Sequence, residues 1–344
     1  MTNKKTVMLA LSGGVDSSVC AELLKKDGYD VHAVVMQMSD AHDKTVEAAK
    51  EVAKALEISL TVLDLRREFA EKVIAPFISD YQNARTPNPC VICNPLVKFR
   101  HLLLAANEQG CYKIATGHYA KTAFADGRYF IKKSDCQARD QSYMLYRLPQ
   151  EVLSRLILPL GSLNKNAVRD TARELELSCA EAPDSQENCF IPDNDYAAYI
   201  EKHCGKTAEG DFISPQGEVV GRHKGIIHYT VGQRKGLGIA LGKPVFIKEI
   251  DAADNRIYLA FDGGQYRDRI LIKDCVFMMK SSISEPIRAQ VKIRSAARAQ
   301  DAVITPLEDG QVSVKFDAPV KAPAPGQSAV FYLNDGVLGG GFIV

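Results

Sequence analysis

Residues 7–23, VMLALSGGVDSSVCAEL, decide the fold. Val7 to Leu11 form a continuous apolar run, the pattern of a strand buried on both faces. The run stops at Ser12-Gly13-Gly14, and Asp16, Ser17 and Ser18 open a helical pattern. Glycine lets backbone amides approach a ligand closely, and a helix N-terminus offers unpaired N–H groups with partial positive charge. Together they make an anion site suited to phosphate. No Lys-Ser/Thr pair follows the glycines, so this is not a Walker A loop, and the G-x-G-x-x-G spacing is also absent. A plain strand-to-helix turn capped by Asp16 or Ser17 is the competing reading.

Working outward, strand-like runs fall at 6–11, 31–36, 60–65 and 112–116, with helical patterns between them. In residues 45–56, for example, Val46, Ala49, Ala53 and Leu56 share one face. Apolar strands alternating with amphipathic helices predict an α/β fold with a doubly wound parallel sheet, which binds ligands at the carboxyl ends of its strands. His118, preceded by Gly117, falls at such an end. Residues 151–203 read as helical, with a possible cap at Ser162. Beyond 206 glycine becomes dense and helical periodicity disappears. From Ile270 onward, short alternating segments separated by Asp-Gly and Pro-Gly turns predict an antiparallel β-barrel or sandwich. The expected domains are 1–205, 206–269 as a small central unit, and 270–344.

The 344 residues are 46% hydrophobic and 25% charged, ordinary for a globular chain and enough for two or three domains. MTNKK leads directly into a strand, which leaves no room for a secretory h-region. No apolar run approaches the roughly 20 residues that span a bilayer, so no membrane partner is expected. A net charge of +1 excludes a uniformly basic coat but not a local basic face. Nine cysteines, an odd number in a chain this long, do not read as a disulfide framework. They fit a cytoplasmic protein with a few reactive thiols. Cys20, Cys111, Cys136, Cys179, Cys204 and Cys275 sit among apolar or helical neighbours and read as core or surface residues.

The chemistry-bearing cysteines lie elsewhere. In NARTPNPCVICNPLVKF, residues 83–99, three prolines shape a rigid loop before a helix at Leu96. Cys90 and Cys93 form a C-x-x-C at the mouth of that helix, a position that lowers a thiol's pKa. Half of a structural zinc site is the alternative, but no second C-x-x-C or H-x-x-x-H completes it. Cys189, in EAPDSQENCFIPD, has acidic neighbours that argue against burial, although Phe190 and Ile191 would favour it.

SGGVDSS resembles the PP-loop of ATP pyrophosphatases. With TPNPCVICN and the KF that follows, ATGHYA at 115–120, RDQSYML at 139–145, DSQENCFI at 184–191, HYTVGQRKGLGI at 228–239 and PGQSAVFY at 325–332, the whole chain resembles the tRNA-specific 2-thiouridylases, the MnmA family. The resemblance implies a PP-loop, Rossmann-like domain. It implies ATP and Mg2+ held by Ala10, Leu11, Ser12, Gly13, Gly14, Val15, Asp16, Ser17 and Ser18, with Met36 and Gly117 at the adenine and ribose and Asp16 helping to hold magnesium. It implies adenylation of O2 of the wobble uridine in tRNAs for Lys, Glu and Gln. Cys189 would then receive sulfur as a persulfide from a sulfur-relay protein or cysteine desulfurase, and Cys93 would resolve it by forming a disulfide. The tRNA anticodon stem-loop would meet His118, Arg139, Asp140, Gln141, Arg294, Ser295 and Gln327. The charged turns at 222–224 and 233–236, and Arg294 on a barrel strand, would extend that footprint as salt-dependent phosphate contacts.

Two departures stand out. Many members have Asp where this chain has Cys90, so an acid or base expected at the uridine is replaced by a thiol. Cys90, Cys93 and Cys189 are also enough thiolates for a [4Fe-4S] cluster with one open iron, an alternative sulfur carrier. After Met36 the chain reads MQMSDAHDKTV in place of Lys-Asn-Trp and a longer acidic insert, and it has no Trp. The nearest rival is another PP-loop ligase, such as GMP synthetase or argininosuccinate synthetase. Neither needs paired reactive cysteines. A non-catalytic RNA- or metal-binding module would leave SGGVDSS unexplained.

Overall fold

A computed structural model describes residues 5–182 and 188–344. Most of the DSQEN part of the Cys189 segment therefore lies outside the described residues. The chain opens with β1 (Thr6–Ala10), β2 (Asp30–Gln37), β3 (Ser59–Asp64), β4 (Lys113–Ala115), the hairpin β5 (Ala120–Ala125) and β6 (Arg128–Lys133), and the short β7 (Leu156–Ile157). A parallel sheet takes the order β3-β2-β1-β4-β7. The strand order reverses beside β1, and the crevice above that switch point lies between the ends of β1 and β4. Val7, Leu9, Ala33 and Val35 line one buried face, and Met8, Val34 and Ile114 the other. Each fully buried Val or Leu contributes about 1.5–3 kcal/mol.

The helices α1 (Val15–Lys26) and α2 (Asp43–Ala55) follow the expected patterns, with Val46, Ala49, Val52 and Ala53 buried. Residues 151–203 are less continuously helical than their composition suggests. The helix Lys165–Glu174 is capped by Asn164, whose Oδ1 accepts from Ala167 N at 2.9 Å, and not by Ser162. An amide oxygen one residue before the helix reaches the free N–H groups that Ser162 stands too far upstream to meet.

A four-stranded sheet of order β10-β11-β8-β9 is built from β8 (Gly210–Ile213), β9 (Val219–His223), β10 (Val245–Asp251) and β11 (Arg256–Phe261). Its core is Phe212, Tyr229, Ile247, Ile257 and Leu259. RHK at 222–224 spans the end of β9 with Arg222 and Lys224 exposed, while His223 is buried and packs edge-on against Phe212 and Tyr229.

The last strands are β12 (Tyr266–Phe277), β13 (Ile287–Lys292), β14 (Gln300–Pro306), β15 (Val312–Lys321), β16 (Ser328–Leu333) and β17 (Gly336–Ile343). They run antiparallel as β12-β15-β14-β13-β16-β17, and pairing of β12 with β17 closes a six-stranded barrel. Closure removes exposed strand edges. β12 already pairs at Tyr266, upstream of the boundary expected at 270. The β5–β6 hairpin, turned by Asp126 (φ 51°) and Gly127 (φ 75°), reaches out of the first domain and joins β17 at Gly336↔Lys132. An Asp-Gly pair with both φ positive matches the twist of a two-residue hairpin. Among the described residues no helix is long and apolar enough to cross a membrane.

Candidate active site at the sheet's carboxyl edge

Two groups of side chains meet above the switch point. The first is the SGGVDSS turn. Leu11 continues the sheet through N→Val34 O at 2.9 Å. Ser12 N then donates to Ser17 Oγ (3.1 Å), while the Ser17 and Ser18 hydroxyls both donate to Gly14 O (3.0 and 2.9 Å). Gly14 is the N-cap and lends no side chain to the free N–H groups of α1. Gly13 has φ +71°, and a Cβ there would lie 2.5 Å from Ala48 C. A Cβ on Gly117 would lie 3.1 Å from Asp16 C and Ser17 N, so glycine lets the β4 loop close against the turn. The result is a backbone-lined cradle with the positive end of a helix behind it.

Asp16 is held from two distant segments. Tyr119 Oη donates to its Oδ1 at 2.7 Å, and Lys165 Nζ lies 2.8 Å from both oxygens. A single half-buried carboxylate beside a phosphate cradle suits Mg2+, which is usually held by one or two carboxylates plus phosphate oxygens. Arg139 lies within electrostatic reach of Tyr119.

The second group gathers the thiols. Cys90 and Cys93 do not sit in a loop before the helix. They lie in its first turn, Pro89–Cys93, where Asn88 Oδ1 accepts from Cys90 N at 3.2 Å. Proline fits a helix's first position because its missing N–H would be unpaired there anyway. Pro95 does disturb the ladder, and a π-turn at Asn94–Lys98 absorbs it before the helix resumes at Phe99–Glu108. Cys93 is buried against Met38, with Sγ 4.0 Å from Sδ. Cys189 keeps access to solvent at the compartment's mouth, next to buried Phe190.

Lys98 is the hub. Its ammonium acts on Cys90, Cys93, Cys189, His42 and His118. The lowered thiol pKa expected of a helix N-terminus is overturned. Desolvation pushes Cys93 up to about 11 and Cys189 to about 12, with Lys98 pulling both back. Burial, reinforced by Lys98, drops His118 to about 3, so its imidazole is neutral. Thr116 Oγ1 lies 2.8 Å from His118 Nδ1, and Phe99 lies under its ring at 5.7 Å. Among the described residues no three His, Cys, Asp or Glu side chains are gathered to hold a metal ion. As arranged, the three thiols do not fit a [4Fe-4S] cluster.

The remaining expected site residues are dispersed. Met36, next to last in β2, is almost fully buried. Asp140 works as an internal joint: its oxygens accept from Ser134 N, Ser142 N and Ser142 Oγ. Gln141 brackets Tyr119, with Oε1 accepting from Tyr119 N and its own N donating to Tyr119 O. Arg294 is not on a strand. It stands with Ser295 in the exposed turn after β13, which ends at Lys292, and its Nη2 donates to Lys321 O at 2.7 Å. Gln327 Nε2 donates to Thr86 O at 2.9 Å, while Thr86 N donates to Pro325 O at 2.7 Å, so the barrel loop grips the segment leading to Cys90. Sequence reading assigned no role to Lys98, Tyr119 or Lys165. For Lys98 the signal was its place five residues after Cys93 across a proline. Lys165 carried none, since it meets Asp16 only through the fold.

A Rossmann-like sheet with this cradle at its switch point, followed by a small β-domain and a closed barrel, defines a PP-loop ATP-using enzyme. Family profiles match the chain in three consecutive parts: a tRNA methyl transferase HUP domain (5–193), a tRNA methyl transferase PRC-barrel domain (197–260) and an aminomethyltransferase beta-barrel domain (267–343). The chain is 46% identical to the tRNA-specific 2-thiouridylase MnmA of Acetivibrio thermocellus, over 99% of both chains. It is 43% identical to that of Clostridioides difficile, over 100% of this chain and 99% of the other. The chain therefore belongs to the tRNA-specific 2-thiouridylase family. Among solved structures, the U34-tRNA thiolase NcsA from Methanococcus maripaludis with its [4Fe-4S] cluster is 18% identical, covering 58% of this chain and 68% of that one, with a TM-score of 0.37.

Proposed function

We propose that this protein is a cytoplasmic sulfurtransferase that 2-thiolates the wobble uridine of tRNAs for Lys, Glu and Gln. The observation that carries the reading is the meeting of the phosphate cradle with the Cys93–Cys189 compartment at one sheet edge. Activation and sulfur delivery need neighbouring sites. The urea-like C2 carbonyl is a poor electrophile until its oxygen becomes a phosphate ester. The cradle of Ser12 to Ser18 binds the phosphates of ATP, and uridine O2 attacks the α-phosphorus with loss of pyrophosphate. Asp16 would hold Mg2+, which neutralises charge on the phosphates.

Cys189, loaded as Cys189–S–S− by a sulfur-relay protein or a cysteine desulfurase, attacks C2 through its terminal sulfur, and AMP leaves. The Cys93 thiolate then attacks Cys189 Sγ. The S–S bond to the tRNA sulfur breaks, 2-thiouridine is released, and a Cys93–Cys189 disulfide remains. Two equivalents of external thiol reduce it before the next round. His118, Arg139, Gln141, Ser295 and Gln327 are assigned to the anticodon stem-loop.

The test uses Cys93→Ser with ATP, tRNA and a persulfide donor, without added thiol. It should accumulate tRNA disulfide-linked to Cys189, released as 2-thiouridine-containing tRNA by dithiothreitol. Normal turnover by Cys93→Ser with no covalent adduct would overturn the assignment.

A further inference from the structure

We infer that Lys98 is the shared counter-cation of the sulfur compartment, a positioning residue that favours the anionic form of Cys93 and Cys189 against their burial and receives the persulfide. The inference rests on the proposed sulfur step, but its evidence is the helix register. In an α-helix the side chain one turn beyond Cys93 is that of Val97. Pro95 has no N–H to give to the carbonyl of Val91. The π-turn at Asn94–Lys98 widens the step to five residues. Val97 is thereby turned into the core, fully buried, and Lys98 takes the place above Cys93. Cys90, Cys93 and Lys98 then follow one another along a single face, and Cys189 meets them from the turn before Phe190.

Nothing else among the described residues neutralises this ammonium. Among the described residues no hydrogen bond or ion pair engages Lys98 Nζ. The groups acting to keep it charged are Cys93, Cys90 and Cys189, in that order. The histidines facing it, His42 before α2 and His118 after β4, are kept neutral by burial. His42 Nε2 is itself buried without a hydrogen-bond partner. A half-buried cation that, among the described residues, faces thiols and neutral imidazoles gains an opposite charge whenever a sulfur of the compartment is ionised. An opposite charge within about 4–6 Å lowers a pKa by about 1–3 units.

The experiment labels the free protein with iodoacetamide near neutral pH, without tRNA or ATP, and follows each cysteine by peptide mass spectrometry. Lys98→Met should slow labelling of Cys93 and Cys189 about tenfold, the loss of one pKa unit in thiolate fraction. Lys98→Arg should keep most of the rate, and exposed Cys204 should label equally in all three proteins. Equal slowing in the Met and Arg variants would mean packing rather than charge and would overturn the inference. So would wild-type labelling in Lys98→Met, with or without a loss of tRNA affinity. Absence of 2-thiouridine from wild-type reactions would sink the proposed sulfur step, while the labelling contrast would still decide Lys98.

Discussion

The cradle and the sulfur compartment share one sheet edge but are built in opposite ways. The cradle is local. Its polar atoms come from Ser12 to Ser18, and the serine and backbone hydrogen bonds that shape the turn close within five residues, with Asp16 and Ser18 also tied to distant segments. The compartment is assembled from five segments: Met38, His42, the Cys90–Lys98 helix, His118 and Cys189–Phe190. Phe69 ties two of them together, packing against His42 and Phe190 at ring distances of 6.4 and 5.6 Å. Backbone geometry sets chemistry in the cradle, whereas burial and one shared charge set it in the compartment. A contiguous motif therefore specifies the first, and only the packed fold specifies the second.

Asp16→Asn should give the largest effect, because Asp16 is the carboxylate of the Ser12–Ser18 turn and is held from Tyr119 and Lys165. The amide still accepts from Tyr119 Oη but loses the charge that faces Lys165 and, on the proposed function, would hold magnesium. tRNA-dependent AMP formation should fall by at least about a hundredfold, the scale of losing one electrostatic contact to the transition state. Thiol labelling in the compartment should not change. AMP release at the normal rate would show that the cradle works without its tertiary support.

Next in size is a pH test of the compartment. His118 has its pKa depressed from 6.5 to about 3, so between those values the unfolded chain binds a proton that the folded chain does not. Stability must then fall as pH drops through this window, by up to about 1.4 kcal/mol per pH unit. In urea melts across acid pH, His118→Gln should lose that share of the slope. Identical slopes would mean that the compartment is wetter than its packing implies and that burial is not what distinguishes it from the cradle.

The smallest effect belongs to a residue outside both regions. Arg294→Ala removes an exposed guanidinium tethered to Lys321 O. It should weaken tRNA binding only a few-fold and reduce the slope of log affinity against log salt by about one. AMP formation at saturating tRNA and cysteine labelling should stay as they were. An unchanged salt slope would take Arg294 off the RNA face.

The parallel sheet, the cradle and the barrel were legible because each rests on local rules: apolar runs, glycine beside a helix start, alternation between turns. The β5–β6 hairpin was as legible in principle, through Asp126-Gly127, yet its union with β17 was not, since a strand's pattern does not name its neighbour. Cys90, Cys93 and Cys189 could be singled out by type. Their ionisation could not, because a helix N-terminus favours thiolate while desolvation opposes it, and the balance depends on how much protein surrounds the sulfur. The sequence by itself determined the order of elements, the glycine-rich turn that opens α1 and the proline that forces the π-turn. Tertiary structure alone decided that Lys165 and Tyr119 hold Asp16, that Gln327 grips Thr86, and that Lys98 faces three thiols. These are contacts across 103 to 241 positions of chain for the hydrogen-bonded pairs, and solvent exclusion, which sets their strength, is a property of the folded whole.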